Sequence, residues 1–266
     1  MHPLPNIPAS APLPSRWSLR VIRERFEFLS DYTLSGVWRY LTRYGFKLRT
    51  GRLQMYSPDP DYEAKVATLH QCLGQTASQP DQTVTLFLDE MSYHRWPAPG
   101  KDWAEEAPSQ IPKAPIRGTN PQWRIIGALN AWTGQVQYLD GSTIGVQKII
   151  QMYDYLNHIY KDAQNIYVIQ DCWPVHQNKK IFKTIASWPR IKPIFLPTYA
   201  PWLNPIEKLW RWLKQDVLKM HQFAVDFDIL KQYVRDFLEQ FNNGSSDLLK
   251  YTGLIGQGLF AQTLHP

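Results

Sequence analysis

The 266-residue chain is 44% apolar, holds two cysteines and carries a formal charge of +6, which excludes global disorder, a disulfide scaffold and a cysteine-built zinc cluster. No apolar run approaches the roughly 20 residues that span a bilayer, and no basic segment followed by an apolar one marks a secretory leader. Between Arg16 and Arg52 nine basic residues stand against three acidic ones, so this block accounts for the whole net charge. A cationic block beside a neutral body fits a polyanion partner, nucleic acid first, and equally a solvated basic face.

Residues 1–15 hold five prolines and read as an extended, poorly ordered leader. Residues 16–56 form the basic segment. Trp17 to Phe28 keeps helical spacing through Leu19, Ile22, Phe26 and Leu29, with Ser18 as cap. After a break at Ser30-Asp31-Tyr32, Thr33 to Tyr44 forms a second helix with Val37, Trp38, Leu41 and Tyr44 on its apolar stripe. Its other face offers Ser35, Arg39, Thr42 and Arg43, and Gly45 ends it in the left-handed conformation. Phe46 to Met55 alternates and turns at Gly51 like a small hairpin carrying Lys47, Arg49 and Arg52. Helix, turn, helix and basic hairpin outline a winged helix-turn-helix, whose second helix enters a major groove while the wing meets phosphates. A plain helical hairpin with a basic exterior is the alternative.

Residues 57–82 are a linker, Ser57-Pro-Asp-Pro-Asp, followed by a helix from Tyr62 to Leu73 and a loop. A second domain is expected over 83–241, with a polar, Gly-rich and peripheral tail over 242–266. Thr83-Val-Thr-Leu-Phe-Leu is a buried-strand pattern that ends on Asp89 and Glu90. A Pro- and Trp-rich loop comes next, holding His94 and Trp103. Trp123 to Ala131 and Gln135 to Leu139 pair across Thr133-Gly134, Val146 to Tyr160 is helical, and Ile166-Tyr-Val-Ile-Gln is a second buried strand that ends on Asp171. His176 to Trp188 is a helix, and Ile191 to Leu196 a last strand. The loop Pro197-Thr-Tyr-Ala-Pro-Trp-Leu-Asn204 then opens a helix at Pro205 with Ile206, Leu209, Trp210, Leu213 and Val217 inward. Phe227 to Phe241 is a closing helix.

This order gives an α/β fold with a mixed sheet of five strands flanked by helices, the first three antiparallel and the last two reached by helical crossovers. If the first and fourth strands are neighbours, Asp89 and Asp171 lie side by side and Glu207 approaches from the covering helix. Glu207 has a second reading, a capping box in which it reaches back to the Asn204 N–H. Three converging carboxylates repel one another unless cations sit among them. Hard divalent ions suit such oxygen ligands, and two of them about 4 Å apart can drive phosphoryl transfer. Glu90, His176, Asn204, Arg211 and Lys214 are candidates to support the acids or touch phosphate. A zinc site from Cys72, Cys172 and the histidines lacks a ligand spacing.

Leu196-Pro-Thr-Tyr-Ala-Pro-Trp-Leu-Asn-Pro-Ile-Glu207-Lys-Leu-Trp-Arg-Trp-Leu-Lys214 resembles the third-acid motif of bacterial insertion-sequence transposases in the mariner-like branch of the DDE superfamily. Phe87-Leu-Asp89-Glu90 resembles the first-acid motif. Val168-Ile-Gln-Asp171-Cys-Trp-Pro-Val-His176 resembles the second, with Cys172 where the family usually has Asn. Ser35-Gly-Val-Trp-Arg-Tyr-Leu-Thr-Arg-Tyr-Gly-Phe resembles the winged-helix segment. The resemblance implies an RNase H-like catalytic domain with Asp89, Asp171 and Glu207 as catalytic metal ligands for two Mg²⁺ or Mn²⁺ ions. It also implies binding of double-stranded DNA at terminal inverted repeats and at a target, cleavage with strand transfer, action as a homodimer, and a cytoplasmic, nucleoid-associated location without a membrane partner. The family normally has another helix-turn-helix before the winged segment, so an N-terminally shortened copy, or the second half of a frame-split gene, is expected. A DNA-binding remnant without catalysis and a general RNase H-like nuclease are the other functions that fit.

Overall fold

In the computed structural model the described residues are 14–49, 56–103, 113–256, 258 and 260. The chain divides into two compact units, 1–54 and 55–266.

In the first unit, α1 (Leu19–Arg25) is capped by the Ser18 hydroxyl, which accepts from the Val21 N–H. A short 3-10 turn leads to α2 (Leu34–Arg43), which is capped by Thr33 through the Gly36 N–H. Gly45, at φ 84°, ends α2, and the Phe46 N–H returns to the Leu41 carbonyl, the hydrogen bond that defines a Schellman ending. The expected stripe is only half right. Val37 is fully buried, but Trp38 and Tyr44 are exposed, because two short helices offer too little facing surface to cover them. Ser35, Arg39, Thr42 and Arg43 are exposed, as are Lys47 and Arg49 in irregular chain without strand pairing. Arg52 and the turn of the expected hairpin lie outside the described residues.

The second unit is built on a five-stranded sheet in the order β3-β2-β1-β4-β5: β1 Thr83–His94, β2 Gln122–Asn130, β3 Val136–Gly141, β4 Asn165–Gln170 and β5 Ile191–Phe195. β1, β2 and β3 are antiparallel, while β4 runs parallel to β1 and β5 parallel to β4. Alternation along the strands sends side chains to two cores. Phe87, Met91 and Ile169 face one side, with α3 (Tyr62–Ser78), α6 (Ile206–Leu213), α7 (Phe227–Glu239) and α8 (Ser246–Thr252). Leu86, Leu88 and Val168 face the other, with α4 (Val146–Ile159) and α5 (Lys179–Ile185). This is the mixed sheet that the order of elements predicts.

Several local expectations need correction. α3 runs five residues beyond Leu73, since Thr76 is buried against Thr85 with their hydroxyls 2.7 Å apart. β1 does not end on its acids: it pairs with β2 as far as His94 and with β4 only as far as Phe87. α5 begins at Lys179 under an Asn178 cap, so His176 precedes it in a turn. After α6 a π-helical turn, Lys214–Leu218, adds a residue to the winding and so buries Leu218 more deeply than Val217. The segment after Asn242 is not peripheral. α8 and the residues beyond it bury Leu248, Leu254 and Phe260 in the core, with the Phe260 ring 5.9 Å from that of Phe87. Among the described residues no helix is long and apolar enough to cross a membrane.

The β2–β3 turn docks on the α7–α8 connection through two facing glycines. Gly134 (φ 71°) and Gly244 (φ 86°) are both left-handed. A Cβ on Gly134 would lie 2.5 Å from the Ser245 carbonyl oxygen, and one on Gly244 would lie 2.6 Å from that of Thr133. Each Gly→Ala change is expected to cost about 2 kcal/mol or more, lowering Tm by roughly 4–8 °C at this domain size. Gly74→Ala is the control: in α3 with nothing within 4 Å of its Cβ, it is expected to stabilise by about 0.5–1 kcal/mol. Thermal melts of the three variants check this.

Candidate active site

The register of β1 on β4 pairs Leu86 with Val168 and Phe87 with Ile169. Two residues beyond the last pair come Asp89, still in β1, and Asp171, just past the end of β4 at Gln170. The parallel ladder has stopped by then, so the two acids sit where β4 leaves β1 while β2 still supports it. Asp89 shares the face of Phe87, the face that α6 covers. Glu207 lies in the first turn of α6, and its charge and that of Asp171 are felt at Asp89. The topology thus puts Asp89 under the helix that carries Glu207, on the strand next to the one that leads into Asp171.

Each acid is held differently. Asp89 is half-buried, and its Oδ2 accepts from the Trp210 indole N–H at 2.9 Å. Burial, then the charges of Glu207, Glu90 and Asp171, push its carboxyl well above the usual range. Asp171 Oδ1 accepts from the Trp173 N–H at 3.0 Å and from His176 Nδ1 at 3.0 Å. Burial works to raise its pKa, but these bonds and the His176 charge bring it below the usual range. His176 is fully buried and reaches Glu90 Oε1 at 3.0 Å with its other nitrogen. Burial works to lower its pKa, yet its two carboxylate partners push it up to about 10. His176 is therefore an imidazolium between Asp171 and Glu90, with Trp173 packed edge-on at 5.5 Å. Partial burial raises the Glu207 carboxyl, opposed by Lys214 and Arg211, both exposed beside it. Cys172 turns away, its thiol donating to the Leu196 carbonyl.

The capping box is not formed. The Asn204 N–H is taken by the Pro201 carbonyl in a 3-10 turn, and α6 starts without a side-chain cap. Asn204 is instead buried, with Nδ2 on the Leu88 carbonyl and Oδ1 without a protein partner. The loop before it is clamped from the segment read as a linker. Asp59 Oδ2 accepts from the Thr198 N–H and from Lys65 Nζ, Ser57 donates to the Thr198 carbonyl, and Trp202 donates to the Tyr62 hydroxyl. Neither this clamp nor the Trp210 contact carries a sequence signal, because each joins residues more than 100 positions apart.

The Lys65 hydrogen bond, then that from the Thr198 N–H, hold the Asp59 carboxyl below the usual range. A carboxyl depressed on folding contributes stability that is present above about pH 4 and lost as pH falls through its lower folded value. Acid melts of the parent are expected to fall more steeply below about pH 4 than those of Asp59→Asn; parallel curves would contradict the clamp.

Among the described residues, no three His, Cys, Asp or Glu side chains converge closely enough to cage an ion as they stand. The donor set nonetheless fits a hard divalent cation: it offers carboxylate oxygens in mutual repulsion, the type such ions prefer. Asn204 Oδ1 is a buried acceptor with no protein donor, on a residue whose Nδ2 meets the Leu88 carbonyl and whose backbone carbonyl accepts from the Glu207 N–H.

A family model described as DDE superfamily endonuclease matches residues 84–231. The chain belongs to the DDE superfamily of endonucleases. This DDE chain is 27% identical over 241 residues to the insertion element IS630 uncharacterized 39 kDa protein of Shigella sonnei, a match spanning 89% of this chain and 68% of that protein. Its fold is similar to the Mos1 transposase paired-end complex with left transposon end, at a TM-score of 0.65 and 14% identity, covering 96% of this chain and 80% of that one. It is also similar to the catalytic domain of Mos1 mariner transposase, at a TM-score of 0.51 and 12% identity, over 80% of this chain and 96% of that one. The Mos1 mariner paired-end complex with Mn gives 0.60 at 14% identity, over 96% of this chain and 81% of that one. The family match and the insertion-element relative bear out the DDE-superfamily membership read from the motifs, and the fold is similar to that of the Mos1 mariner transposase catalytic domain.

Proposed function

We propose that this DDE transposase cuts DNA at the terminal inverted repeats of an insertion sequence and joins the freed ends to a target. The observation that supports the reading is the position of Asp89 on the face covered by the helix of Glu207, on a strand paired with the one that leads into Asp171. Asp89, Asp171 and Glu207 would hold two Mg²⁺ or Mn²⁺ ions, the metals found with Mos1. Such ions, when bound, activate an attacking water or 3′-hydroxyl and stabilise the leaving oxygen. The chain's own groups do the rest. Trp210 holds Asp89 and the imidazolium of His176 holds Asp171. Arg211 and Lys214 present positive charge to the scissile phosphate strand beside Glu207. In hydrolysis water adds to phosphorus and the P–O bond to the 3′-oxygen breaks. In transfer that 3′-hydroxyl adds to a target phosphodiester and displaces its 3′-oxygen.

In this reading residues 16–56 bind the repeats through Ser35, Arg39, Thr42, Arg43, Lys47, Arg49 and Arg52, and residues 83–241 cut. Two copies act together on paired ends, in the cytoplasm at the nucleoid. The support is the exposure of the described basic residues on and after α2 and the paired-end assembly named for Mos1.

The test is a DNA assay with substrates bearing the inverted repeats that flank the gene, in Mg²⁺, in Mn²⁺ and in EDTA. Metal-dependent nicks at the ends with joined products are expected. Hydrolysis indifferent to the ends and without joining would instead indicate a general nuclease. Salt-sensitive binding with no cleavage in either metal would indicate a remnant, the outcome that the Asn-to-Cys departure at Cys172 would explain.

A further inference from the structure

Trp210 lies three residues after Glu207 on α6 and is 2% exposed. A buried indole needs a partner for its N–H, and this one is aimed at a carboxylate of the site, Asp89 Oδ2. The ring reaches it through a gap left by glycine. Gly127 is the residue paired with Asp89 across the β1–β2 ladder. A Cβ there would lie 2.6 Å from Trp210 Cη2 and 3.0 Å from Cζ2. Any other residue at 127 would push the indole off the strand at the level of Asp89. Three residues before Glu207, Asn204 ties the start of the same helix to the Leu88 carbonyl. Helix α6 is thus fastened to consecutive residues of β1 on both sides of Glu207.

The terminal torsion of an aspartate is broad, so a carboxylate near the sheet surface does not select one orientation by itself. We propose that Trp210 is a positioning residue for Asp89, with Gly127 as the vacancy that admits its ring, and that through it one helix sets both Glu207 and the carboxylate facing Glu207. The inference rests on the reading of Asp89 as a metal ligand. It separates Trp210 from the other core residues of α6, whose side chains only fill space.

The test is Mn²⁺ binding by the DNA-free, full-length protein, monitored by electron paramagnetic resonance of the free ion. Trp210→Phe keeps a ring and removes the N–H; Gly127→Ala keeps the N–H and displaces the ring. Each is expected to weaken Mn²⁺ binding about tenfold, as loss of a ligand's supporting hydrogen bond does, while circular dichroism and a cooperative melt show a folded protein. The double variant is expected to bind no more weakly than the weaker single, because both changes act through one hydrogen bond. If Asp89→Asn binds Mn²⁺ like the parent, the metal-ligand reading itself fails. If Asp89→Asn loses Mn²⁺ but Trp210→Phe binds like the parent, only the positioning role fails. Should Trp210→Phe not fold, the parent labelled with ¹⁵N-tryptophan decides. One indole resonance must move both on adding Mg²⁺ and on Asp89→Asn; the absence of any such resonance overturns the proposal.

Discussion

Asp89→Asn is expected to abolish metal-dependent cleavage, by about a thousandfold or more, while leaving the protein folded and slightly more stable. A metal-binding carboxylate supplies several kcal/mol of transition-state stabilisation, and about 1.4 kcal/mol corresponds to each tenfold. The stability gain comes from the position of the group. Asp89 is half-buried among Glu207, Glu90 and Asp171, which raise its pKa after burial itself. A carboxyl raised on folding favours the folded state while protonated and opposes it as pH climbs above the ordinary range. Asn removes that opposition at neutral pH, and its carbonyl oxygen can still accept from the Trp210 indole. In EDTA at pH 7 the variant is expected to gain on the order of 1 kcal/mol, and the gap should close as pH falls toward about 4. A variant that melts well below the parent would show that Asp89 is structural.

His176→Leu is expected to produce the largest loss of stability among the site residues, together with loss of cleavage. The imidazolium is fully buried between Glu90 and Asp171, at 3.0 Å from each. Leucine fills a similar space but strands two carboxylates. Removing one partner from a buried ion pair costs about 3–5 kcal/mol; Asp171 is 54% exposed, so solvent screens its share and about 2–4 kcal/mol remains. That corresponds to a Tm lower by roughly 4–16 °C. The pH dependence has a definite sign. The Asp171 and Glu90 carboxylates push His176 up to about 10, against its burial, so its stabilisation is complete below about pH 6.5 and fades as pH rises. The parent-to-variant difference in Tm should therefore narrow from pH 7 to about 10. A constant difference would mean that His176 acts by packing alone.

The sheet and the acids were legible in the sequence for different reasons. Val84–Leu88 and Ile166–Ile169 are apolar runs that only a doubly covered strand accommodates, and acids at their ends stand out locally. Their pairing was legible only as a condition, since which strands are neighbours depends on the whole sheet. The true end of β1 was hidden, because Met91 and Tyr93 are held by β2, on the far side of a long loop. The capping-box alternative fails at Asn204: its neighbours spell a cap, whereas the 3-10 turn from Pro201 consumes its N–H first. Glycines and polar residues after Asn242 masked four apolar positions, Leu248, Leu249, Leu254 and Phe260, that complete the core. The partners of Asp59 and Trp210 were illegible for a simpler reason: a hydrogen bond across 139 or 121 positions leaves no periodicity.

The burial of Phe260 against Phe87 also orders events in time. Phe87 is two residues from Asp89, and the side of β1 they share is not closed until the chain has grown past α8. At roughly 5–20 residues per second, the roughly 170 residues between Asp89 and Phe260 take about 10–30 s to synthesise. For that interval a nascent chain carries its first acid on a strand whose aromatic neighbour Phe87 lacks its final cover. The face that bears Asp89 is complete only once residue 260 has been made.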